Sequence, residues 1–215
     1  MNFEEATTLP IALTTMHNAV VTVGALQAGQ AVLIQGASSG VGLMAMQIAK
    51  LKGAGLVIGS STDAARRGRL KEFGADLAVD SSDPGWVEQV LQATSGEGVD
   101  LIVDQISGKV ASQNLKAARV KGRIVNVGRL GGTHADFNFD LHAARRINYI
   151  GVTFRSRTIE EIHEIFDEVR KDIWPAVESR KLQLPIDKVF AFDDIGKAFA
   201  HMDANKHLGK IVVTF

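Results

Sequence analysis

The sequence predicts an α/β fold, a doubly wound parallel sheet with helices on both faces, and three observations support this. Short runs rich in β-branched residues recur along the chain, stretches with helical spacing lie between several of them, and glycines close the helical stretches. The predicted strands lie at 31–37, 55–61, 76–82, 99–107, 122–128 and 147–154. No internal repeat, low-complexity tract or linker interrupts the alternation.

The predicted helices show the apolar spacing of one buried face. In "GLMAMQIAKLKGA", Met44, Ile48 and Leu51 stand at i, i+4 and i+7. The stretches "AARRGRLKEFGA" and "WVEQVLQATSGEG" also predict helices, each with a glycine suited to a helix C-cap. We divide the chain into a leading helical segment (1–30), a dinucleotide-binding core (31–155) and a C-terminal part (156–215).

Composition excludes several classes of function. The chain has 215 residues, which is long for one domain and short for two. Its 24 basic and 24 acidic residues give no net charge, which disfavours binding to nucleic acid or to an anionic membrane. No cysteine is present, and the six histidines lack the HExxH spacing, so we predict no metal site and no disulfide. Without an apolar run of membrane-spanning length or a basic amino-terminal leader, the cytosol is the expected compartment.

The stretch "GASSGVG" (36–42) carries the strongest chemical signal. It follows an apolar strand and opens a helix, the context in which a glycine-rich turn binds phosphate. Together with the alternating pattern, this turn predicts a Rossmann-type dinucleotide site. The backbone N–H groups of Ser39, Gly40 and Val41 are expected to point at the pyrophosphate. The alternative is an ordinary turn between strand and helix that binds no ligand.

This turn resembles the opening turn of the short-chain dehydrogenases, but the rest of the chain does not. That family needs a Tyr-x-x-x-Lys pair, in which the lysine lowers the tyrosine pKa. The single tyrosine here is Tyr149, and Thr153 stands four residues on. The short-chain interpretation is therefore rejected.

The chain as a whole resembles the coenzyme-binding part of the medium-chain dehydrogenase/reductases, in the zinc-independent quinone oxidoreductase (zeta-crystallin-like) branch. The matching stretches occur in order and are "EEATTLPIALTT", "GASSGVG", "KEFGAD", "GVDLIVDQISG", "GRIVNVG", "FRSR" and "ANKHLGKIVV". The family's N-terminal barrel-like catalytic domain has no counterpart here, which suggests a fragment, an isolated domain or a truncated gene product. The C-terminal part packs toward that domain in the family, so we expect some apolar surface to be left exposed.

The resemblance implies a set of residues around a bound nicotinamide cofactor. For Thr14 the alternative is a threonine bonded to its own helix, and for the positions after the fourth and fifth strands it is ordinary packing. For Arg155 and Arg157, after the sixth strand, the alternative is a pair of solvated loop charges. For Asn205 and Lys210, near the carboxyl end, it is helix capping or a surface position. The residues so implied are Thr14, Ile106, Ser107, Gly128, Arg129, Phe154, Arg155, Arg157, Asn205 and Lys210.

The end of the second strand predicts NADPH as the cofactor. NAD-specific versions of this fold usually place an acidic residue there, whereas this chain has Ser60 and Ser61. Arg66, with Arg67 as the neighbouring candidate, stands where quinone oxidoreductases commonly carry a basic residue facing the 2′-phosphate. Asp63 is expected to cap the following helix instead. The alternative places both arginines on a solvated helix face.

Three functions stay open, and no catalytic residue is assigned. The first is an NADPH-dependent oxidoreductase that reduces a quinone or an enone, with this chain as its coenzyme half. The second is a nucleotide-binding or interaction module without chemistry. The third is the enoyl-reductase portion of a multidomain synthase. The implied partner is a small-molecule electron acceptor. The apolar sixth strand is expected at an edge of the sheet, where the family pairs it with its twin in a homodimer.

Overall fold

The computed structural model describes all 215 residues and is built around a six-stranded parallel sheet. The strands are β1 (Ala31–Gln35), β2 (Leu56–Ser60), β3 (Leu77–Val79), β4 (Val99–Asp104), β5 (Ala118–Asn126) and β6 (Asn148–Gly151). Their order is β3-β2-β1-β4-β5-β6, so the predicted Rossmann-type sheet is confirmed. All six predicted strands are present, and β6 lies at an edge as expected.

Helices cover both faces of this sheet. They are α1 (Phe3–Thr7), α2 (Pro10–His17), α3 (Gly40–Leu51), α4 (Ala64–Gly68), α5 (Trp86–Ala93), α6 (Ala111–Ala117), α7 (Phe139–Arg145), α8 (Ile159–Glu178) and α9 (Ile195–Asp203). A π-helical turn at Asn18–Thr22 extends α2, and short 3-10 turns lie at Leu70–Phe73, Gly108–Val110 and Phe192–Asp194. No helix is both long enough and apolar enough to cross a membrane.

The core forms two apolar layers because successive strand residues face opposite sides of the sheet. On one side Val32 and Ile34 of β1 belong to a cluster that includes buried residues of α2, α3 and α8. On the other side Leu33 belongs to a cluster with α5 and α6, in which Trp86 is fully buried. Helix α8 thus ties the C-terminal part to the same core as the sheet.

One predicted helix is interrupted. The stretch 64–75 forms α4, which Asp63 caps as expected by accepting the Arg66 backbone N–H, and then a separate 3-10 turn at Leu70–Phe73. The turn ends at Gly74 with φ +98°, a left-handed conformation that glycine adopts without strain. Because α4 is short, Arg66 and Arg67 lie in its last turn.

The last residues form a second, smaller unit beside the main sheet. Strands β7 (Ile186–Ala191) and β8 (Lys210–Thr214) pair in parallel in a two-stranded sheet of their own. The expected exposed apolar surface is present here: Phe199 is 57% exposed, and Phe192 stacks on the exposed Phe215 with ring centroids 4.9 Å apart. The chain enters β8 across the glycine-rich turn, where Gly209 bridges to Ser39.

Candidate dinucleotide-binding site

The glycine-rich turn has the close packing that its sequence requires. Gly36 adopts φ +71°, and a Cβ at Gly42 would lie 2.6 Å from the Gly36 carbonyl oxygen. A larger residue at position 42 would push α3 away from the turn, since Cβ atoms do not approach backbone that closely. The turn therefore brings the N-terminus of the 12-residue helix α3 directly to the carboxyl edge of β1.

Two of the three amides that we predicted for the pyrophosphate are free. The backbone N–H groups of Gly40 and Val41 have no hydrogen-bond partner in the chain. The prediction for Ser39 needs correction, because its N–H donates to the Gly36 carbonyl at 3.1 Å and its Oγ accepts from the Gly42 N–H at 3.0 Å. Ser39 is thus the N-cap of α3, and the N–H of the preceding Ser38 has no hydrogen-bond partner in the chain.

Lys210 adds a positive charge in front of these donors. A Cβ at Gly40 would lie 2.9 Å from the Lys210 Cε, so the lysine side chain crosses the start of α3. The ammonium group has no ion-pair partner, and burial lowers its pKa from the ordinary 10.5. A partly buried cation beside a helix N-terminus has no counter-charge in the chain, which fits a site for an anion.

The two serines at the end of β2 have different roles. Ser60 is fully buried; its hydroxyl donates to Gln35 Oε1 at 2.6 Å and accepts the Gly36 N–H at 3.1 Å. The expectation that Ser60 faces a 2′-phosphate is therefore wrong, because its bonding capacity is used within the core. Ser61 bonds to Ser38 across 3.0 Å, which places it at the rim of the glycine-rich turn.

The structure separates the two candidate arginines. Arg66 extends to the C-terminal unit, where Nη1 donates to Asn205 Oδ1 at 3.1 Å and to the His207 carbonyl at 3.4 Å. Its buried Nε has no hydrogen-bond partner. Arg67 instead forms an ion pair with Asp80 at 3.0 Å and donates to the Ser61 carbonyl. Arg67 is thus a structural residue, and Arg66 with Asn205 forms the candidate phosphate contact.

The loops after β4 and β5 pack against each other and against the glycine-rich turn. A Cβ on Gly36 would lie 3.0 Å from Ile106 Cδ1, and one on Gly128 would lie 2.6 Å from the Gln105 carbonyl. The Ser107 hydroxyl donates to the Gly128 carbonyl at 2.7 Å. Arg129 is exposed, and its side chain reaches only the Val127 carbonyl, at 3.4 Å.

The residues after β6 approach the end of α2. Arg157 donates to Asn18 Oδ1 at 3.2 Å, and its guanidinium lies 5.8 Å from the centroid of the Phe154 ring. Arg157 therefore links the segment after β6 to the end of α2 and is not a solvated charge. The side chain of Arg155 is exposed and makes no hydrogen bond.

Thr14 lies apart from the contacts around the glycine-rich turn. It is 2% exposed, its hydroxyl donates to the Pro10 carbonyl at 2.8 Å, and it lines a groove of about 630 Å³ between α2 and α8. The alternative that we named, a threonine bonded to its own helix, is what the structure has. The next residue, Thr15, is half-buried, makes no side-chain hydrogen bond and lies one turn before Asn18, on the face that Arg157 approaches.

Sequence reasoning missed the buried polar residues behind the site. Gln35, Asp104 and Asn114 are fully buried and joined by hydrogen bonds, and burial raises the pKa of the Asp104 carboxyl. A polar residue at the end of a strand was the available signal, in Gln35 of "AVLIQ" and Asp104 of "VDLIVD". No group of three or more His, Cys, Asp or Glu side chains could hold a metal ion.

A parallel sheet with a glycine-rich turn, an open helix N-terminus and a converging arginine and lysine defines a dinucleotide-binding protein. The family model described as "Zinc-binding dehydrogenase" matches residues 40–171. The chain belongs to this family, and it corresponds to the coenzyme-binding part of the medium-chain dehydrogenase/reductase superfamily. The resemblance found in the sequence is confirmed at that level.

Among solved structures, an NAD-dependent alcohol dehydrogenase aligns over the whole chain with a TM-score of 0.87 and 28% identity, and the chain covers 60% of it. The CurK enoyl reductase aligns with a TM-score of 0.84 and 28% identity, and the chain covers 63% of it. The fold of the chain is therefore that of the dehydrogenase coenzyme-binding part.

Curated relatives are much longer proteins. The hybrid PKS-NRPS synthetase pynA of Aspergillus niger is 32% identical over 221 residues, which is 99% of the chain and 6% of the relative. A phenolphthiocerol/phthiocerol polyketide synthase of Mycobacterium tuberculosis is 28% identical over 210 residues, which is 98% of the chain and 10% of the relative. The chain thus spans a tenth or less of these two synthases.

Proposed function

We propose that the chain is the NADPH-binding part of an oxidoreductase that reduces an activated carbon–carbon double bond or a quinone. The observation that carries the proposal is the open N-terminus of α3, where the free N–H groups of Gly40 and Val41 meet the unpaired Lys210. This arrangement fits a pyrophosphate, which is an anion with several acceptor oxygens.

Each part of the cofactor has residues suited to it. Gly40, Val41 and Lys210 would hold the pyrophosphate, and Arg66 with Asn205 would hold the 2′-phosphate. The bound nicotinamide would supply a hydride. The loops after β4, β5 and β6 would shape its surroundings, and the residues available there are Ile106, Ser107, Gly128, Arg129, Phe154 and Arg155.

Among the substrates, an enoyl group is the one that we favour. The similar proteins named above include a polyketide synthase, a hybrid PKS-NRPS synthetase and an enoyl reductase, and none of those named is a quinone oxidoreductase. The enoyl-reductase part of a multidomain synthase thus moves ahead of the quinone interpretation that the sequence first suggested. A module that binds nucleotide without chemistry is the remaining alternative.

Two further features belong to this proposal. We propose a zinc-independent enzyme, because the chain offers no cysteine ligand and no cluster of acidic and histidine side chains. We also propose a homodimer that pairs through the edge strand β6, with the cytosol as the expected compartment.

Calorimetric titration of the chain with NADPH and NADH tests the proposal directly. We expect saturable binding of NADPH with one site per chain. If neither cofactor binds, the oxidoreductase and the nucleotide-binding module are both excluded, and an interaction module without chemistry is left. If binding is found, the rates at which the chain oxidises NADPH with an enoyl thioester and with a quinone separate the two substrate classes.

A further inference from the structure

Besides the direct contact of Gln105, which accepts from the Ser39 hydroxyl at 2.9 Å, a chain of buried hydrogen bonds joins the glycine-rich turn to the loop after β4. It begins at the Gly36 N–H, which donates to Ser60 Oγ at 3.1 Å, and Ser60 donates to Gln35 Oε1 at 2.6 Å. Gln35 Nε2 donates to Asn114 Oδ1 at 2.8 Å. Asn114 Nδ2 in turn donates to Asp104 Oδ2 at 3.0 Å. We call these four side chains (Ser60, Gln35, Asn114 and Asp104) the buried relay.

The far end of the buried relay holds the other loop. Asp104 Oδ1 accepts the backbone N–H of Ile106 at 2.9 Å and that of Ser107 at 2.8 Å. Ser107 has φ +57° and ψ −143°, a conformation that a serine keeps only when its surroundings fix it. The glycine-rich turn and the loop after β4 are thus connected through side chains that are all fully buried.

The direction of every bond in the relay is set by Asp104. Asp104 accepts at both carboxyl oxygens, from two backbone N–H groups and from Asn114, whereas each amide of Gln35 and Asn114 has one accepting and one donating end. Asp104 therefore fixes which way Asn114 points, Asn114 fixes Gln35, and Gln35 fixes the Ser60 hydroxyl. With this direction the Ser60 proton has an acceptor, and one of the two lone pairs on its oxygen accepts the Gly36 N–H.

We propose that Asp104 is a positioning residue which, through Asn114, Gln35 and Ser60, holds the glycine-rich turn and the loop after β4 in one fixed relation for dinucleotide binding. The proposal rests on the proposed cofactor site but concerns residues that touch no cofactor. A purely structural role would predict only lower stability on substitution. The positioning role predicts that binding changes with the direction of the hydrogen bonds.

Asp104→Asn separates these roles because it changes few atoms. The oxygen of the new amide still accepts from Ile106 and Ser107, but the NH₂ group of that amide then faces the NH₂ group of Asn114. Flipping Asn114 moves the mismatch to Gln35, and flipping Gln35 moves it to Ser60. With both amides turned, Ser60 accepts from Gln35 Nε2 as well as from Gly36, and its own proton has no acceptor. Every arrangement therefore leaves at least one buried donor of the relay without a partner.

The double variant Asp104→Asn/Asn114→Asp restores every bond with the charge moved from position 104 to position 114. The new amide at position 104 accepts from both backbone N–H groups and donates to the new carboxylate at 114. That carboxylate accepts from Gln35 Nε2, so the direction toward Ser60 is unchanged. Recovery in the double variant thus isolates bond direction from the mere presence of substitutions.

Amide exchange of the cofactor-free chain and calorimetric titration with NADPH provide two independent measurements. We expect Asp104→Asn to raise the exchange rate of the Gly36 amide and the Kd for NADPH by about tenfold or more, as for a lost buried hydrogen bond. The double variant is expected to return both to within about threefold of the unaltered chain. Val90→Ala, in the buried face of α5, is the control for lost stability alone and should leave the Kd unchanged.

Ser60→Ala keeps the proposal testable if Asp104→Asn does not fold. It removes the acceptor of the Gly36 N–H and leaves Asp104 with Ile106 and Ser107, so exchange should rise at Gly36 alone and the Kd should rise with it. Unchanged Gly36 exchange in these variants, or a double variant that stays as weak as Asp104→Asn, would overturn the proposal. If the unaltered chain binds no cofactor, the proposed function fails, and the exchange measurements still decide whether the relay sets the turn.

Discussion

Arg66 Nη1 lies 3.1 Å from Asn205 Oδ1, so a residue of the first helix after β2 contacts the segment before β8 across 139 positions of sequence. Lys210 belongs to the same C-terminal unit and follows Gly209, which bridges to Ser39 of the glycine-rich turn. The C-terminal unit therefore contributes directly to the proposed cofactor site. Both ends of the proposed phosphate-binding region depend on it.

Arg66→Ala is expected to remove cofactor selectivity. A charge-assisted contact contributes about 1.5–3 kcal/mol, or about 10- to 150-fold in affinity, and only NADPH has the 2′-phosphate to receive it. The unaltered chain should bind NADPH at least about tenfold tighter than NADH, and the variant should lose most of this difference. Calorimetric titration measures both constants, with Arg69→Ala as control because Arg69 pairs with Glu72 on the surface. Equal affinities in the unaltered chain would contradict this expectation.

Lys210→Met should weaken both cofactors to a similar extent. The pyrophosphate is common to NADPH and NADH, so we expect each Kd to rise by about tenfold and their ratio to stay constant. Burial lowers the Lys210 pKa below 10.5, so in the unaltered chain binding should weaken as the pH rises through this lowered pKa. The variant should lack that alkaline loss. A change confined to NADPH would place Lys210 at the 2′-phosphate instead.

The sequence was sufficient for the sheet and for the glycine-rich turn because both depend on local patterns. The alternation of apolar runs predicted the strands, and the turn predicted the free amides of Gly40 and Val41. Ser60 and Arg67 were assigned incorrectly because both stand beside the site in sequence. Only the packing shows that Ser60 points inward and that Asp80 holds Arg67. The buried relay was missed because Asn114 and Gln35 are 79 residues apart.

His207 should make the chain less stable below pH 6.5. Burial lowers the His207 pKa below 6.5, with Arg66 and His201 acting in the same direction and Asp187 opposing them. The unfolded chain then takes up a proton at a higher pH than the folded chain, so the free energy of unfolding falls as the pH drops through 6.5. The loss levels off once the folded state is also protonated. Urea unfolding across this range should show a flatter profile for His207→Gln, and His134→Gln in an exposed loop is the matched control.

We expect the 215-residue chain alone to bind cofactor but to reduce substrate slowly. The chain covers about 60% of the solved relatives, and holding a substrate against the nicotinamide can supply roughly 7–11 kcal/mol of the barrier. Oxidation of NADPH, followed by absorbance with a quinone or an enoyl thioester present, is the measurement. Rates typical of a complete enzyme from this chain alone would show that it carries its own substrate site.

The homodimer prediction can be tested at a single edge residue. Strand β6 has β5 on one side only, and the Val152 N–H donates back to the Asn126 carbonyl of β5. Because donors alternate along a strand, the N–H of Gly151 faces outward, where a twin strand would accept it. An added side chain at Gly151 would meet no atom within 4 Å, so substitution there leaves the rest of the chain undisturbed.

Gly151→Pro is therefore expected to convert a dimer into a monomer, because proline removes the outward donor, whereas Gly151→Ala keeps it. Light scattering at micromolar concentration should give about twice the chain mass of 23.1 kDa for the unaltered chain and for the alanine variant. The proline variant should give the chain mass itself, with unchanged NADPH binding, since Gly151 lies outside the glycine-rich turn. A monomeric mass for the unaltered chain would exclude pairing through β6, and a dimeric proline variant would place the interface on another surface.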